Sequence, residues 1–191
     1  MVAAFSGCST SPGAPKPEGV TATPTNAAPT TVAPTTTTVD PGTLPQTRAL
    51  PSQDDPAFRA RVQALWRAIV DGNPSEGAPA FFPLQAYLQV KAISDPVHDD
   101  QTRLIANYDE DILSLHASVA AAGGQASFES VQVPPTAEWI LPGVEYNKGS
   151  YWRVYGTAVT YMAGGQRHTF EIHSLTSWRG EWYVVHLGAI R

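Results

Sequence analysis

One cysteine in 191 residues leaves no partner for an intrachain disulfide and excludes any zinc site built from several cysteines. No apolar run approaches the ~20 residues of a membrane-spanning helix, so an integral membrane protein is excluded as well. Basic residues are scarce: 12 Lys and Arg stand against 17 Asp and Glu, the formal net charge is −5, and no basic cluster marks a nucleic-acid surface. Glycine-rich phosphate loops, nucleophile elbows and paired-histidine zinc motifs are missing too. The most uneven absence is that of aromatic side chains. Ser9 to Pro51 has none in 43 residues, but holds 9 Pro, 12 Thr and only four charges, Lys16, Glu18, Asp40 and Arg48.

The chain is therefore two materials joined near residue 52, and 17 of its 18 aromatics lie at or beyond Phe58. Runs such as Thr21-Ala22-Thr23-Pro24-Thr25 and Pro34-Thr35-Thr36-Thr37-Thr38 cannot bury enough apolar surface to offset their ordering entropy. Residues 9–52 are expected to be a disordered Thr/Pro/Ala-rich tether, biased toward extended polyproline conformation and able to reach up to ~100 Å. Such stretches are also candidates for O-glycosylation. Residues 53–191 have the length of one domain with one core.

The start, Met1-Val2-Ala3-Ala4-Phe5-Ser6-Gly7-Cys8, sets a cysteine after small residues and before a polar tail. It resembles a bacterial lipobox, with Phe5 where leucine is usual and small residues at Ser6 and Gly7, as a peptidase gripping an extended backbone requires. The resemblance implies that residues 1–8 are a remnant of a lipoprotein signal. Cys8 would then carry the lipid that anchors the mature protein to the outer face of the cell membrane. Seven residues before Cys8 hold neither a basic n-region nor a full apolar h-region, so the expected start lies upstream or the chain has been clipped. The composition resembles that of high-GC actinobacterial lipoproteins.

In the domain, Asp54-Asp55-Pro56 opens a helix with an acidic cap and an early proline. Phe58, Val62, Leu65, Trp66 and Ile69 make its apolar stripe, and Gly72 closes it. A second helical piece is expected over 78–93, broken at Pro83, and a third over 99–121, with Leu104, Ile105, Tyr108, Ile112, Leu115 and Val119 inward. Beyond Gly124 the period becomes two. Strands are expected over 128–133, 150–163, 166–178 and 181–190, with a loop at 134–148 and two-residue hairpin turns at Gly164-Gly165 and Arg179-Gly180. The expected class is α+β: N-terminal helices on a curved antiparallel sheet of about four strands, a roll. The excess acid lies in the helical half, with 10 acidic and 5 basic residues in 53–125 against five of each in 126–191.

The closing run Ser177-Trp178-Arg179-Gly180-Glu181-Trp182-Tyr183-Val184-Val185-His186-Leu187 resembles the last hairpin of nuclear-transport-factor-2-like (SnoaL-like) cone domains, which implies a cystatin-like roll. Together with Phe81-Phe82-Pro83 and Glu145-Tyr146-Asn147-Lys148, it resembles a group of uncharacterised actinobacterial secreted proteins, which implies no activity.

If both hairpin turns have two residues, His173 stands opposite His186, Gly156 opposite His173 and Ala158 opposite Glu171. Glu171, His173 and His186 then share one face, in space left by Gly156, Ala158 and Gly188, with Trp152, Val154, Leu175, Trp182 and Val184 lining the pocket. Three readings are open: a hydrogen-bonded structural cluster, a small-ligand or proton-transfer pocket, and a metal site of two histidines and one carboxylate. A turn longer by one residue would move every side chain to the other face. The opposite face, with Tyr151, Arg153, Tyr155, Val159, Tyr161, Phe170, Ile172, Tyr183, Val185 and Leu187, is tyrosine-rich and serves either to cover the helices or as a partner or homodimer surface. His98-Asp99-Asp100 is explained by a helix start better than by a metal, and His116 is expected to face solvent.

The expected function is that of a lipid-anchored extracytoplasmic domain, non-enzymatic, binding a small hydrophobic ligand, a lipid or an envelope protein. It needs no cofactor, no metal and no nucleic acid. The rival is a small polyketide-cyclase or ketosteroid-isomerase-like enzyme with His173, His186 and Glu171 as acid–base groups. On native protein recovered from a membrane fraction, mass spectrometry should find a diacylglycerol thioether on Cys8. Full-length native protein with a bare Cys8 thiol overturns the anchor.

Overall fold

A computed structural model describes residues 40–191; the lipobox, Cys8 and the tether as far as residue 39 lie outside the described residues. Asp55 opens helix α1 (Pro56–Asp71) by accepting from the Ala57 and Phe58 N–H groups, Pro56 sits in the first turn, and Gly72 closes it at φ 63°. All five stripe residues are buried. A 3-10 stretch, Pro74–Ala80, leads past Phe81-Phe82-Pro83 to the short helix α2 (Leu84–Val90). The expected break at Pro83 is found, and the piece ahead of it is a 3-10 stretch that starts earlier than expected, at Pro74, and ends at Ala80. Helix α3 (Pro96–Asp99), a π turn (Asp100–Leu104) and α4 (Ile105–Ala121) follow one another without a break. Asp95 caps the start by accepting from the His98 N–H, 3.0 Å.

The sheet has five strands: β1 (Ser127–Gln132), β2 (Glu138–Ile140), β3 (Tyr151–Ala163), β4 (Gln166–Trp178) and β5 (Glu181–His186). All pair antiparallel. β1 and β2 lie one after the other along the same edge of β3, β4 pairs with its other edge, and β5 with β4. β2 is the strand the sequence reading leaves inside the 134–148 loop. Both hairpin turns have two residues with positive φ throughout, Gly164-Gly165 (56° and 76°) and Arg179-Gly180 (53° and 82°). The architecture is thus helices with an open antiparallel sheet, α+β.

Helices cover the sheet face that carries the odd residues of β3. Trp66 of α1 packs on Tyr161 at 5.2 Å between ring centroids, and Phe82 meets Trp178 and Tyr183 edge-on at 6.2 and 6.0 Å. Of the two roles open for the tyrosine-rich face, covering the helices is the one realised here.

Order also begins earlier than the composition suggests. Pro41–Thr43 forms a 3-10 turn capped by Asp40. Trp178 Nε1 donates to the Pro41 carbonyl (2.7 Å), Gln46 Nε2 to the Ser177 carbonyl (2.9 Å), and Trp152 Nε1 to the Arg48 carbonyl (3.1 Å). Residues 40–52 thus lie as a strap along the β4–β5 hairpin, though the sequence reading places them in the tether. His116 also differs from expectation. It is half-buried, its Nδ1 lies 2.9 Å from the Ile69 carbonyl near the end of α1, and its ring fills the space beside Gly72.

At the β3–β4 turn, a Cβ on Gly164 would lie 2.3 Å from the Ala122 carbonyl oxygen, whereas one on Gly165 meets nothing within 4 Å. Both substitutions carry the left-handed backbone penalty of ~1–2 kcal/mol, and only Gly164→Ala adds a clash with backbone. Gly164→Ala should therefore destabilise clearly more than Gly165→Ala in urea denaturation; equal losses would mean the turn does not contact the end of α4.

Candidate functional site

One cavity of about 350 Å³, called the principal cavity because Lys91, Arg103, Arg153 and His186 all line it, lies between the helix-covered face of the sheet, the end of α2, the π turn and the loop before β3. Phe82, Val90, Leu104 and Val185 supply apolar wall, and Tyr87, Tyr151 and Tyr155 supply rings with phenol groups. Tyr146, 82% exposed, and Ile190, 55% exposed, stand at its mouth. The polar groups that converge on it are Lys91, Arg103, Glu145, Arg153, Ser174 and His186.

His186 reaches this cavity through a register break. The β4–β5 pairing runs as expected from Trp178↔Glu181 to Leu175↔Val184, but the next pair is Ser174↔His186, leaving Val185 as an extra residue. The break coincides with the point where the Val184 carbonyl accepts the Phe82 N–H, 2.9 Å. The expected pairing of His173 with His186 is corrected accordingly. Val185 and His186 both line the helix side, and Ser174 Oγ lies 2.8 Å from His186 Nδ1.

The expected trio does not converge. His173 is half-buried beside the cavity, its ring centroid 5.4 Å from that of Tyr155. Glu171 is exposed over Gly156. The β3–β4 register that puts Ala158 opposite Glu171 holds, but the bulge separates His186 from that face. A three-ligand metal geometry for the trio is not formed, and no His/Cys/Asp/Glu group among the described residues has one. None of Trp152, Val154, Leu175, Trp182 and Val184 lines the principal cavity. The last four are buried in the core, and Trp152 packs on Trp139 at 5.4 Å. At Gly188, one of the small residues expected to leave room, the Asp111 carboxylate fills the space and accepts the Gly188 N–H at 2.8 Å.

The cations of the cavity are held very differently. Arg103 is clamped by both oxygens of Asp99, each at 2.7 Å, and Asp99 also accepts from the Tyr87 hydroxyl. The guanidinium holds the Asp99 carboxyl below the usual range, while burial and Asp99 push the Tyr87 phenol up. Arg153 lies between Glu138, at 2.8 Å, and Glu145. Glu145 also accepts from the Tyr151 hydroxyl at 2.7 Å, and burial raises that phenol to about 12. Lys91 has no carboxylate at ion-pairing distance among the described residues; its Nζ donates to the Glu145 main-chain carbonyl at 3.2 Å. Burial, with Arg103 adding to it, lowers the Lys91 ammonium.

Sequence reasoning missed Lys91. Its signal was position: four residues after Tyr87 and one after Val90, both buried, at the end of an apolar helix. Arg103, Tyr151 and Ser174 were missed as site residues because only the tertiary fold brings their elements together.

A second cavity of about 370 Å³, on the other side of the π turn, is lined by Asp100 with Phe81, Leu84, Ile105 and Tyr108. Asp100 is 2% exposed and its Oδ1 has no partner. No family model, curated protein or solved structure matches the chain.

Two buried groups titrate in opposite senses. Burial, then the charges of Arg103, His173 and Lys91, lowers His186 from 6.5 to about 4; between those values the unfolded chain takes the proton first, and acidification removes stability. Burial, then Asp99, raises Asp100 from 3.8 to about 6; there the folded chain takes the proton first, and acidification adds stability. Each amounts to at most about 3 kcal/mol, so the two largely cancel. On going from pH 7 to pH 5, His186→Asn should gain, and Asp100→Asn lose, roughly 1–2 kcal/mol relative to the parent in urea denaturation. Parallel profiles for all three proteins would refute this balance.

Proposed function

We propose that this domain is a non-enzymatic binding domain that takes one small ligand, with an apolar body and a single acceptor group, into the principal cavity. The observation that carries the reading is the Lys91 ammonium lining that cavity with no carboxylate at ion-pairing distance. An unneutralised, partly desolvated cation is costly, and a bound acceptor offsets that cost. A volume of about 350 Å³ falls at the lower end of the range for small-molecule sites, and apolar walls with a few convergent polar groups are the usual lining of such sites.

The roll of helices on a bulged antiparallel sheet supports assignment to the nuclear-transport-factor-2-like cone type, together with the Ser177–Leu187 run. In this reading the lipid on Cys8 anchors the domain to the outer face of the cell membrane, the Thr/Pro tether carries it outward, and the ligand comes from the envelope. The enzyme alternative is weaker on this geometry, since His186 and Glu171 lie on different faces and burial keeps His186 a poor base near neutral pH.

Decanoate and benzoate serve as probes of an apolar body with one acceptor. Isothermal titration calorimetry of the full chain should show one site per chain, and Lys91→Met should weaken binding about tenfold or more, the loss expected for a charge-assisted hydrogen bond. Lys148→Met, at an exposed lysine, should leave it unchanged. Absence of binding by both probes, or equal binding to the Lys91→Met protein, overturns the reading.

A further inference from the structure

We infer that Lys91 captures carbonyl ligands covalently, its Nζ forming a reversible imine with an aldehyde or ketone held in the principal cavity. The inference rests on the cavity being a ligand site and deepens it by naming the ligand class. Three structural features meet at this side chain. Lys91 is half-buried and lines the cavity among tyrosine and aliphatic side chains, so its amine is partly removed from bulk water. Its one hydrogen-bond partner is the Glu145 main-chain carbonyl, 3.2 Å away. That partner can be kept by a neutral amine as well as by an ammonium, whereas a carboxylate would hold the charge in place. The third feature is Arg103, a second cation lining the same cavity and fixed by its two bonds to Asp99, so it cannot swing away from an approaching ammonium.

Burial and Arg103 raise the share of uncharged amine in equilibrium with the ammonium, and the carbonyl partner permits either form. Lysine becomes a nucleophile at neutral pH when it is desolvated or placed beside another cation, and Lys91 has both conditions. Burial and Arg103 lower its affinity for a proton, and only Asp99 opposes them. The step balances without an added reagent. The Nζ lone pair attacks the carbonyl carbon, and a C–N bond forms. The carbonyl oxygen then leaves as water with the two amine hydrogens, giving C=N. Hydrolysis reverses it and releases the ligand, so the domain holds a carbonyl compound without consuming it. The apolar wall from Phe82, Leu104 and Val185 shields the imine from water and matches an aliphatic or aromatic aldehyde or ketone.

The chain is well suited to a test because it has only three lysines, Lys16, Lys91 and Lys148. The full chain is incubated at pH 7 with octanal or benzaldehyde and sodium cyanoborohydride, which traps an imine as a stable secondary amine, and the labelled lysines are located by peptide mass spectrometry. Lys91 should label several-fold faster than the exposed Lys148, and faster than Lys16, because burial and the neighbouring Arg103 leave more of its amine unprotonated. In urea the preference should vanish, and Lys91→Arg should abolish selective labelling in a protein that still folds by circular dichroism. Labelling of Lys91 no faster than of Lys148 overturns the inference. If decanoate or benzoate still binds in that case, the cavity remains a ligand site and only the covalent step falls. If neither decanoate nor benzoate binds, both readings fall together.

Discussion

The antiparallel pairing of β3 with β4, thirteen residues each, is the interaction on which the rest of the molecule hangs. Its register runs from Arg153↔Thr176 to Ala163↔Gln166, set by a two-residue glycine turn that only left-handed backbone can make. β1 and β2 add to one edge and β5 to the other, so a slip of one residue here would exchange the faces of every strand. The helices depend on the same register. Trp66 needs Tyr161, and Phe82 needs Trp178, on the face toward which α1 and the α1–α2 connection pack.

Against that long regular pairing, the single extra residue in β5 has a large consequence. Val185 has no counterpart on β4, and the strand beyond it turns His186 inward to meet Ser174. The other edge of β5, away from β4, receives Phe82 at Val184, so the start of α2 and the placing of His186 are decided within two residues of each other. Bulges in other sheets likewise sit where a side chain is re-aimed. Here the re-aimed group is an imidazole that burial keeps neutral in a cavity also lined by Lys91, Arg103 and Arg153.

Charge balance in the cavity is selective. Asp99 neutralises Arg103, and Glu138 with Glu145 neutralises Arg153, by short contacts that also order the tyrosine hydroxyls. Lys91 shares none of these carboxylates and receives only a main-chain oxygen. A folded protein rarely leaves a partly buried charge so lightly held unless something else meets it. Asp100, across the π turn, is the acidic counterpart: a buried carboxyl with an unpartnered oxygen, at a type of helix irregularity often found near functional sites.

What the sequence determined by itself is what near neighbours decide. The Asp55 cap, the stripe from Phe58 to Ile69 and the Gly72 stop act within a few residues, and both hairpin turns follow from residues that tolerate positive φ. β2 escaped notice because three residues among Pro and Gly carry no period, and its pairing with β3 alone makes it a strand. The strap at 40–52 escaped because side-chain donors more than a hundred residues away hold its carbonyls, and an absence of aromatics cannot reveal a partner elsewhere. The candidate site was half legible. His186 belongs to it, but alternation places it with Glu171, and a bulge is invisible to alternation. Lys91, Arg103 and Tyr151 come from three elements distant in sequence. Tertiary structure alone decided their meeting, because an unpaired charge is defined by the carboxylates that do not reach it, and only the assembled fold says which ones those are.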